Sequence, residues 1–185
     1  MINKKIEIII NMPRMADHAN EEGNFSRGLY QLIKENFSPE FRVIQIGTYE
    51  GVTAVLFALT CREVITIDPY ADGYLKTQET KDNLIQAEKI ATKRLMPYPN
   101  VRMFKCTSKE FYDSFQDKVD AIYIDGDHTR EGVTYDLSHW KNKIKTDGFI
   151  CGHDVGDLVV SDVIEKELGG YDKRYEDGSW VKQIV

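Results

Sequence analysis

The chain has 185 residues, of which 42% are hydrophobic and 29% charged, with a net charge of −6. These values fit one globular domain with a good-sized core and exclude a disordered chain. An acidic balance without a long basic run argues against electrostatic capture of nucleic acid, and no apolar run reaches membrane-spanning length.

In chain order, the opening MINKKIEIIINMPR has too short an apolar run for a signal peptide. Lys5 to Ile10 reads as a short strand or an arm packed on the body, and Asn11 to Asn24 as a polar loop. Ser26 is placed to cap a helix running to about Asn36, and Pro39 leads into a first core strand, Val43 to Ile46. A turn bounded by Gly47 and Gly51 follows, then a helix over Val52 to Leu59. Without Cβ atoms, these glycines let backbone approach a ligand closely at a helix N-terminus.

Strands and helices then alternate. Glu63 to Asp68 is a strand ending in an acid, and Thr77 to Leu95 a helix with Leu84, Ala87, Ile90, Ala91 and Leu95 as its apolar face. Val101 to Cys106 and Val119 to Asp125 are strands separated by a short helix, Ser108 to Phe115. Arg130 to Ile144 carries Val133, Leu137, Trp140 and Ile144 on one helical face, Asp147-Gly148 turns into a strand at Phe149 to Cys151, and Leu158 to Leu168 is the last core helix. Asp177-Gly178 signals a closing hairpin between Tyr171–Tyr175 and Ser179–Val185. The expected fold is α/β and Rossmann-like: a seven-stranded, mostly parallel sheet with an antiparallel edge hairpin strand and helices on both faces. Residues 1–40 form an arm, loop and helix of the same domain, with Met12 to Asn24 as part of a substrate lid. Residues 41–185 form the core. Cys61, Cys106 and Cys151 have no metal-ligand spacing and apolar neighbours, which suits buried thiols of a reducing, cytoplasmic compartment.

Ligands of such sheets bind beyond the carboxyl ends of the strands. There the chain carries Gly47 to Gly51, Asp68, Thr107-Ser108, Asp125 to His128 and Gly152 to Asp154. Asp68 is suited to accept both hydroxyls of a ribose, which admits nicotinamide and adenosyl ligands. A dinucleotide fingerprint needs G-x-G-x-x-G, but Tyr49 stands where a pyrophosphate needs bare backbone. The expected ligand lacks a pyrophosphate.

With these motifs in place, the sequence resembles class I S-adenosylmethionine-dependent methyltransferases. I-G-T-Y-E-G and V-I-T-I-D-P-Y resemble their first two motifs. The V-D-A-I-Y-I-D-G-D-H and D-G-F-I-C-G-H-D-V segments resemble a bacterial and phage small-molecule family related to catechol-type and sugar O-methyltransferases. The resemblance implies a cofactor site of Gln45, Gly47, Thr48, Tyr49, Gly51, Asp68, Pro69, Tyr70, Thr107, Ser108 and Asp125. Within it Asp68 would hold the ribose, Pro69 and Tyr70 lie near the adenine, and Ser108 hydrogen-bond the base. Gln45 stands where the family usually has an acid serving the methionine ammonium group, so it brings an acceptor without charge.

The resemblance also implies a divalent cation, Mg2+ or Mn2+, on Asp125, His153 and Asp154, lowering the pKa of a substrate hydroxyl. A metal-free route uses His128 or His153 as general base, with an aspartate orienting the imidazole, and Asp125 is counted with them as catalytic. The implied reaction is O-methylation of a small molecule of sugar, phenol or hydroxy-acid type, with no nucleic acid or membrane partner and homo-oligomerisation left open. The acceptor pocket is expected from Met12–Asn24, Asp72–Gln78, His128–Glu131 and the stretch after Asp154. The alternatives are a domain that binds S-adenosylmethionine without catalysis and a metal-dependent hydrolase.

Overall fold

The computed structural model describes residues 4–12, 26–71 and 78–185. Nearly all of the expected lid over Met12–Asn24, and residues 72–77 of the expected pocket, lie outside these.

The parallel strands are β1 (Arg42–Ile46), β2 (Glu63–Ile67), β3 (Val101–Phe104), β4 (Val119–Ile124) and β5 (Ile144–Gly152). The first, second and fourth are short, largely β-branched runs buried on both faces, the pattern of interior parallel strands. Beyond β5 lies β7 (Trp180–Gln183), antiparallel to it, and then β6 (Lys173–Arg174), antiparallel to β7. The seven strands run β3-β2-β1-β4-β5-β7-β6. This is the mixed, mostly parallel sheet that the sequence leads one to expect.

Register places Thr66, Gln45, Tyr123, Cys151 and Val181 in one row across the sheet. That face packs under α1 (Lys4–Ile10), α2 (Arg27–Asn36) and α3 (Val52–Thr60). The opposite face, carrying Ile44, Ile65, Ile122 and Ile150, packs under α5 (Ser108–Ser114), α6 (Arg130–Trp140) and α7 (Leu158–Leu168). The helix α4 (Gln78–Leu95) covers the turn after β1 with Ala87, Ala91 and Leu95.

Three local expectations need correction. Lys5 to Ile10 is not a strand: residues 4–10 form α1, because Ile6 and Ile9, three apart, bury together on the core. Asp147-Gly148 does not turn into a strand but lies inside β5, which starts at Ile144; the register with β4 shifts between Val119 and Ala121, and Asp147 takes φ 62°. The helix α6 accordingly stops at Trp140, followed by a short 3-10 turn. Ser26 makes no side-chain cap on α2. Its place is taken by Asp177, a feature of the tertiary structure described below.

Candidate active site

The turn after β1 is held by its own chain rather than left open for a ligand. Gly47 has φ 88°, and a Cβ there would sit 1.9 Å from the carbonyl oxygen of Asp125. Gly51, at φ 79°, would place a Cβ 3.3 Å from Leu95 of α4. Both glycines thus serve packing as well as backbone conformation. The N–H groups of Thr48 and Tyr49 each donate to Asp68 Oδ2 at 2.9 Å, and the N–H of Tyr70 donates to Oδ1 at 2.9 Å. A carboxylate can accept about four hydrogen bonds, so this half-buried acid closes the turn with lone-pair capacity to spare on Oδ1.

Tyr70 is buried against Ala87 and Ala91, and its hydroxyl donates to the Tyr49 carbonyl at 2.8 Å. Burial, reinforced by the Asp68 charge, pushes its phenol far above the usual tyrosine range. It is a wall of the turn, with half-buried Pro69 beside it. Gln45 is 1% exposed; its Nε2 donates to the Gly47 carbonyl at 2.6 Å, while its Oε1 has no partner. A buried acceptor without a partner is costly, so a donor brought by a ligand would be favoured there. An orphaned acceptor under the turn and an acid with spare capacity at the end of β2 fit the ammonium and ribose groups of an adenosyl-methionine ligand.

The second half of the site lies at the ends of β4 and β5. His128 Nε2 lies 3.1 Å from Asp154 Oδ2, and His153 Nδ1 lies 2.9 Å from Asp154 Oδ1. The Asp154 hydrogen bond lifts the His128 imidazole above its ordinary value, against the opposing effect of burial. For Asp154, burial acts upward but is outweighed by hydrogen bonds from His128 and His153, which hold the carboxyl far below the usual range. Ligand atoms of Asp125, His128 and Asp154 all fall within 4.8 Å of one another.

That trio differs from the expected metal set, which had His153 in place of His128. His153 Nε2 meets the Asp177 carbonyl, while its Nδ1 meets Asp154. Each ring nitrogen of His153 faces an oxygen of the protein itself. His153 thus braces Asp154, and both His128 and His153 line the cleft with Asp125, Gly126, Val133, Val160 and Trp180. Asp154 itself has φ 59°, and Tyr49 and Tyr70 both have φ 46°. Non-glycine residues in this region are strained and persist where their surroundings over-determine them, as the hydrogen bonds here do.

Two carboxylates in this framework are not singled out by motif. The first is Asp177, whose Oδ2 accepts from the N–H of Leu29 at 2.7 Å and whose Oδ1 accepts from Ser179 at 3.0 Å. A single hairpin turn thus caps α2 through its side chain and holds His153 through its carbonyl. Trp180 Nε1 adds a bond to the His153 carbonyl at 3.2 Å. The second is Asp136, 2% exposed on α6, which accepts a hydrogen bond from Ser108 Oγ. Its signal was in the sequence: an acid falls on the buried stripe of Val133, Leu137 and Trp140.

Burial pushes the Asp136 carboxyl up to about 7. A folded-state pKa above the unfolded value means that the folded chain keeps a proton which the unfolded chain releases. The stabilisation is complete below the unfolded pKa and is lost as pH rises through about 7. Chemical denaturation should therefore show stability falling between about pH 4 and pH 8, with Asp136→Asn flattening that slope and gaining on the wild type at the alkaline end. Parallel slopes in the two proteins would refute the assignment.

Among the remaining expected residues, Thr107 caps α5 through a reciprocal pair with Glu110. Cys61 and Cys151 are buried, as expected, whereas Cys106 is only half-buried; all three are free thiols. No helix among the described residues is long and apolar enough to cross a membrane.

A mixed sheet of this order, with a glycine turn after β1, an acid at the end of β2 and polar exits from β4 and β5, defines the class I S-adenosylmethionine-dependent methyltransferase fold. The model of a family described as "Methyltransferase domain" matches residues 44–155, more than half of the chain, and the chain belongs to that family. No curated protein matches it. Among solved structures, a Streptococcus mutans protein provisionally described as a SAM-dependent methyltransferase aligns at 10% identity with TM-score 0.63, over 88% of this chain and 50% of its own. The chain thus spans half the length of that protein. An rRNA methylase from Streptococcus thermophilus aligns at 11% identity with TM-score 0.60, over 85% of this chain and 95% of its own. A second Streptococcus mutans protein, provisionally described as a methyltransferase and solved in complex with SAH, aligns at 9% identity with TM-score 0.61, over 84% and 96% of the two chains. At these identities the likeness is one of fold.

Proposed function

We propose that this domain methylates a hydroxyl group of a small molecule, with S-adenosylmethionine as donor and His128 as general base. The observation that carries this reading is the His128–Asp154–His153 array at the ends of β4 and β5, beside the donor turn. S-adenosylmethionine, when bound, supplies a methyl group already activated on a sulfonium, so the chain's work is alignment, proton removal and exclusion of water. Gln45 would accept from the ammonium group and Asp68 from the ribose. Asp154 holds His128 by Nε2, which leaves Nδ1, with no hydrogen-bond partner among the described residues, to take the acceptor's proton. The raised basicity of His128 suits that task.

The acidic chain favours a small-molecule acceptor over nucleic acid, even though rRNA methylases share the fold. Val133 and Val160, both buried, line the cleft beside His128, which suits an acceptor with an apolar portion. Transfer of labelled methyl to a panel of sugars, catechols and hydroxy acids tests the proposal. Binding of S-adenosylhomocysteine without transfer to any of them would favour a non-catalytic binding domain.

One observation favours a second reading. The clustering of Asp125, His128 and Asp154 is compatible with a divalent cation, and a histidine in the set suits Mn2+ or Zn2+ better than Mg2+. A cation held there would acidify the acceptor hydroxyl. Calorimetric titration of Mg2+, Mn2+ and Zn2+ into the wild type and Asp154→Ala, both with S-adenosylhomocysteine, separates the two. The base reading expects no heat from any of these ions; saturable binding abolished by Asp154→Ala would replace it with the cation reading.

A further inference from the structure

We propose that Asp136 is a positioning residue that fixes the polarity of Ser108, so that the donor site selects a purine bearing a 6-amino group over one bearing a 6-oxo group. The inference rests on the donor reading above and extends it to the base.

The place of the base follows from the order of the strands. The reacting end of the donor belongs with His128 and Asp154 at β4 and β5, and its ribose with Asp68 at the end of β2. A ligand running in that direction along the β3-β2-β1-β4-β5 order brings its base to the next exit, that of β3. The side chains there are Cys106, Thr107 and Ser108. Thr107 is engaged: its hydroxyl donates to Glu110 Oε2 at 2.8 Å and accepts from the Glu110 N–H at 3.2 Å. Asp127, at the neighbouring β4 exit, accepts from the N–H and hydroxyl of Thr129 at 2.8 and 2.7 Å. Ser108 is the half-buried hydroxyl that remains.

A serine hydroxyl has one hydrogen to donate and two lone pairs. Ser108 Oγ sends its hydrogen to Asp136 Oδ1 at 2.5 Å. Asp136 is 2% exposed and sits on the packed face of α6, so it cannot swing away. Towards the ligand, Ser108 can then only accept. A 6-amino group meets that lone pair with N–H, whereas a 6-oxo group meets it with another lone pair, and a site built for one polarity rejects the other strongly. Above its raised carboxyl value the acid is ionised and is itself only an acceptor, which makes the arrangement strictest in mild alkali.

The test compares binding of S-adenosylhomocysteine and its deaminated analogue, S-inosylhomocysteine, by calorimetry at about pH 8.5, and needs no acceptor. The wild type should prefer the adenosyl compound by at least about tenfold. Asp136→Leu frees the hydroxyl to turn and donate, so the preference should fall below about threefold; Asp136→Asn, whose amide oxygen can still accept from Ser108, should keep it. Ser108→Ala should lose it as Asp136→Leu does. Asp136→Ala serves where the leucine variant does not fold, as judged by its thermal transition. A wild-type preference near unity overturns the inference, as does a folded Asp136→Leu or Asp136→Ala that keeps the full preference. Absence of S-adenosylhomocysteine binding to the wild type would instead overturn the donor reading, and this inference with it.

Discussion

Asp154→Ala should lower methyl transfer by about 10²- to 10³-fold while leaving S-adenosylhomocysteine affinity within about twofold. Asp154 receives two imidazoles, with His128 Nε2 at 3.1 Å and His153 Nδ1 at 2.9 Å. Its removal leaves His128, whose side chain is 45% exposed, free to turn out of the cleft. The donor groups stand on other strands: Gln45 on β1, Asp68 after β2. Loss of transfer without loss of donor binding is therefore the signature of a residue serving the acceptor end. Labelled-methyl transfer and calorimetry on the same preparation decide it. Equal loss of both would reassign Asp154 to the donor site, and unchanged transfer would remove it from the reaction.

The largest effect on stability is expected at Gly47. Alanine there must adopt φ 88° and place a Cβ 1.9 Å from the Asp125 carbonyl oxygen. The obstacle is backbone at the join of the two central strands, so it cannot yield as a side-chain tip would. Gly47→Ala should cost at least about 3 kcal/mol in urea denaturation, or prevent folding. The matched control is Gly169, with φ 69° and nothing within 4 Å of a built Cβ. Gly169→Ala carries only the conformational term, about 1 kcal/mol. Equal costs at the two positions would mean that β1 and β4 part easily, and would contradict the packing described for the turn.

The fold could be read from the sequence because its signals are local and repeated. Apolar runs such as Val43 to Ile46 and Val119 to Ile124, each followed by a helix of period 3.6, leave few topologies besides a parallel sheet covered on both faces. Where local preference met tertiary packing, packing prevailed. The β-rich KIEIII segment became α1 because only a helix buries Ile6 and Ile9 on the same side. Ser26 has a good cap residue's chemistry, yet Asp177, 148 residues from Leu29, reaches that helix end instead.

The same division runs through the site. Sequence by itself determined the turn proposed for the donor end: Gly47, Gly51, Asp68 and Gln45 lie in two short contiguous motifs, and strand-turn-helix geometry fixes their relation. It also brought Asp125, His128, His153 and Asp154 to neighbouring strand ends, since β4 and β5 are adjacent in the sheet. Only the tertiary structure decided which partners each histidine takes. His153 is drawn to the Asp177 carbonyl by a hairpin that folds back from the far end of the chain, and His128 is left at Asp154. Asp136 belongs to the same class: its burial and its bond to Ser108 depend on how α5 and α6 pack. A side chain's polarity towards a ligand is set by what stands behind it, and that neighbour is chosen by the fold rather than by the adjacent sequence.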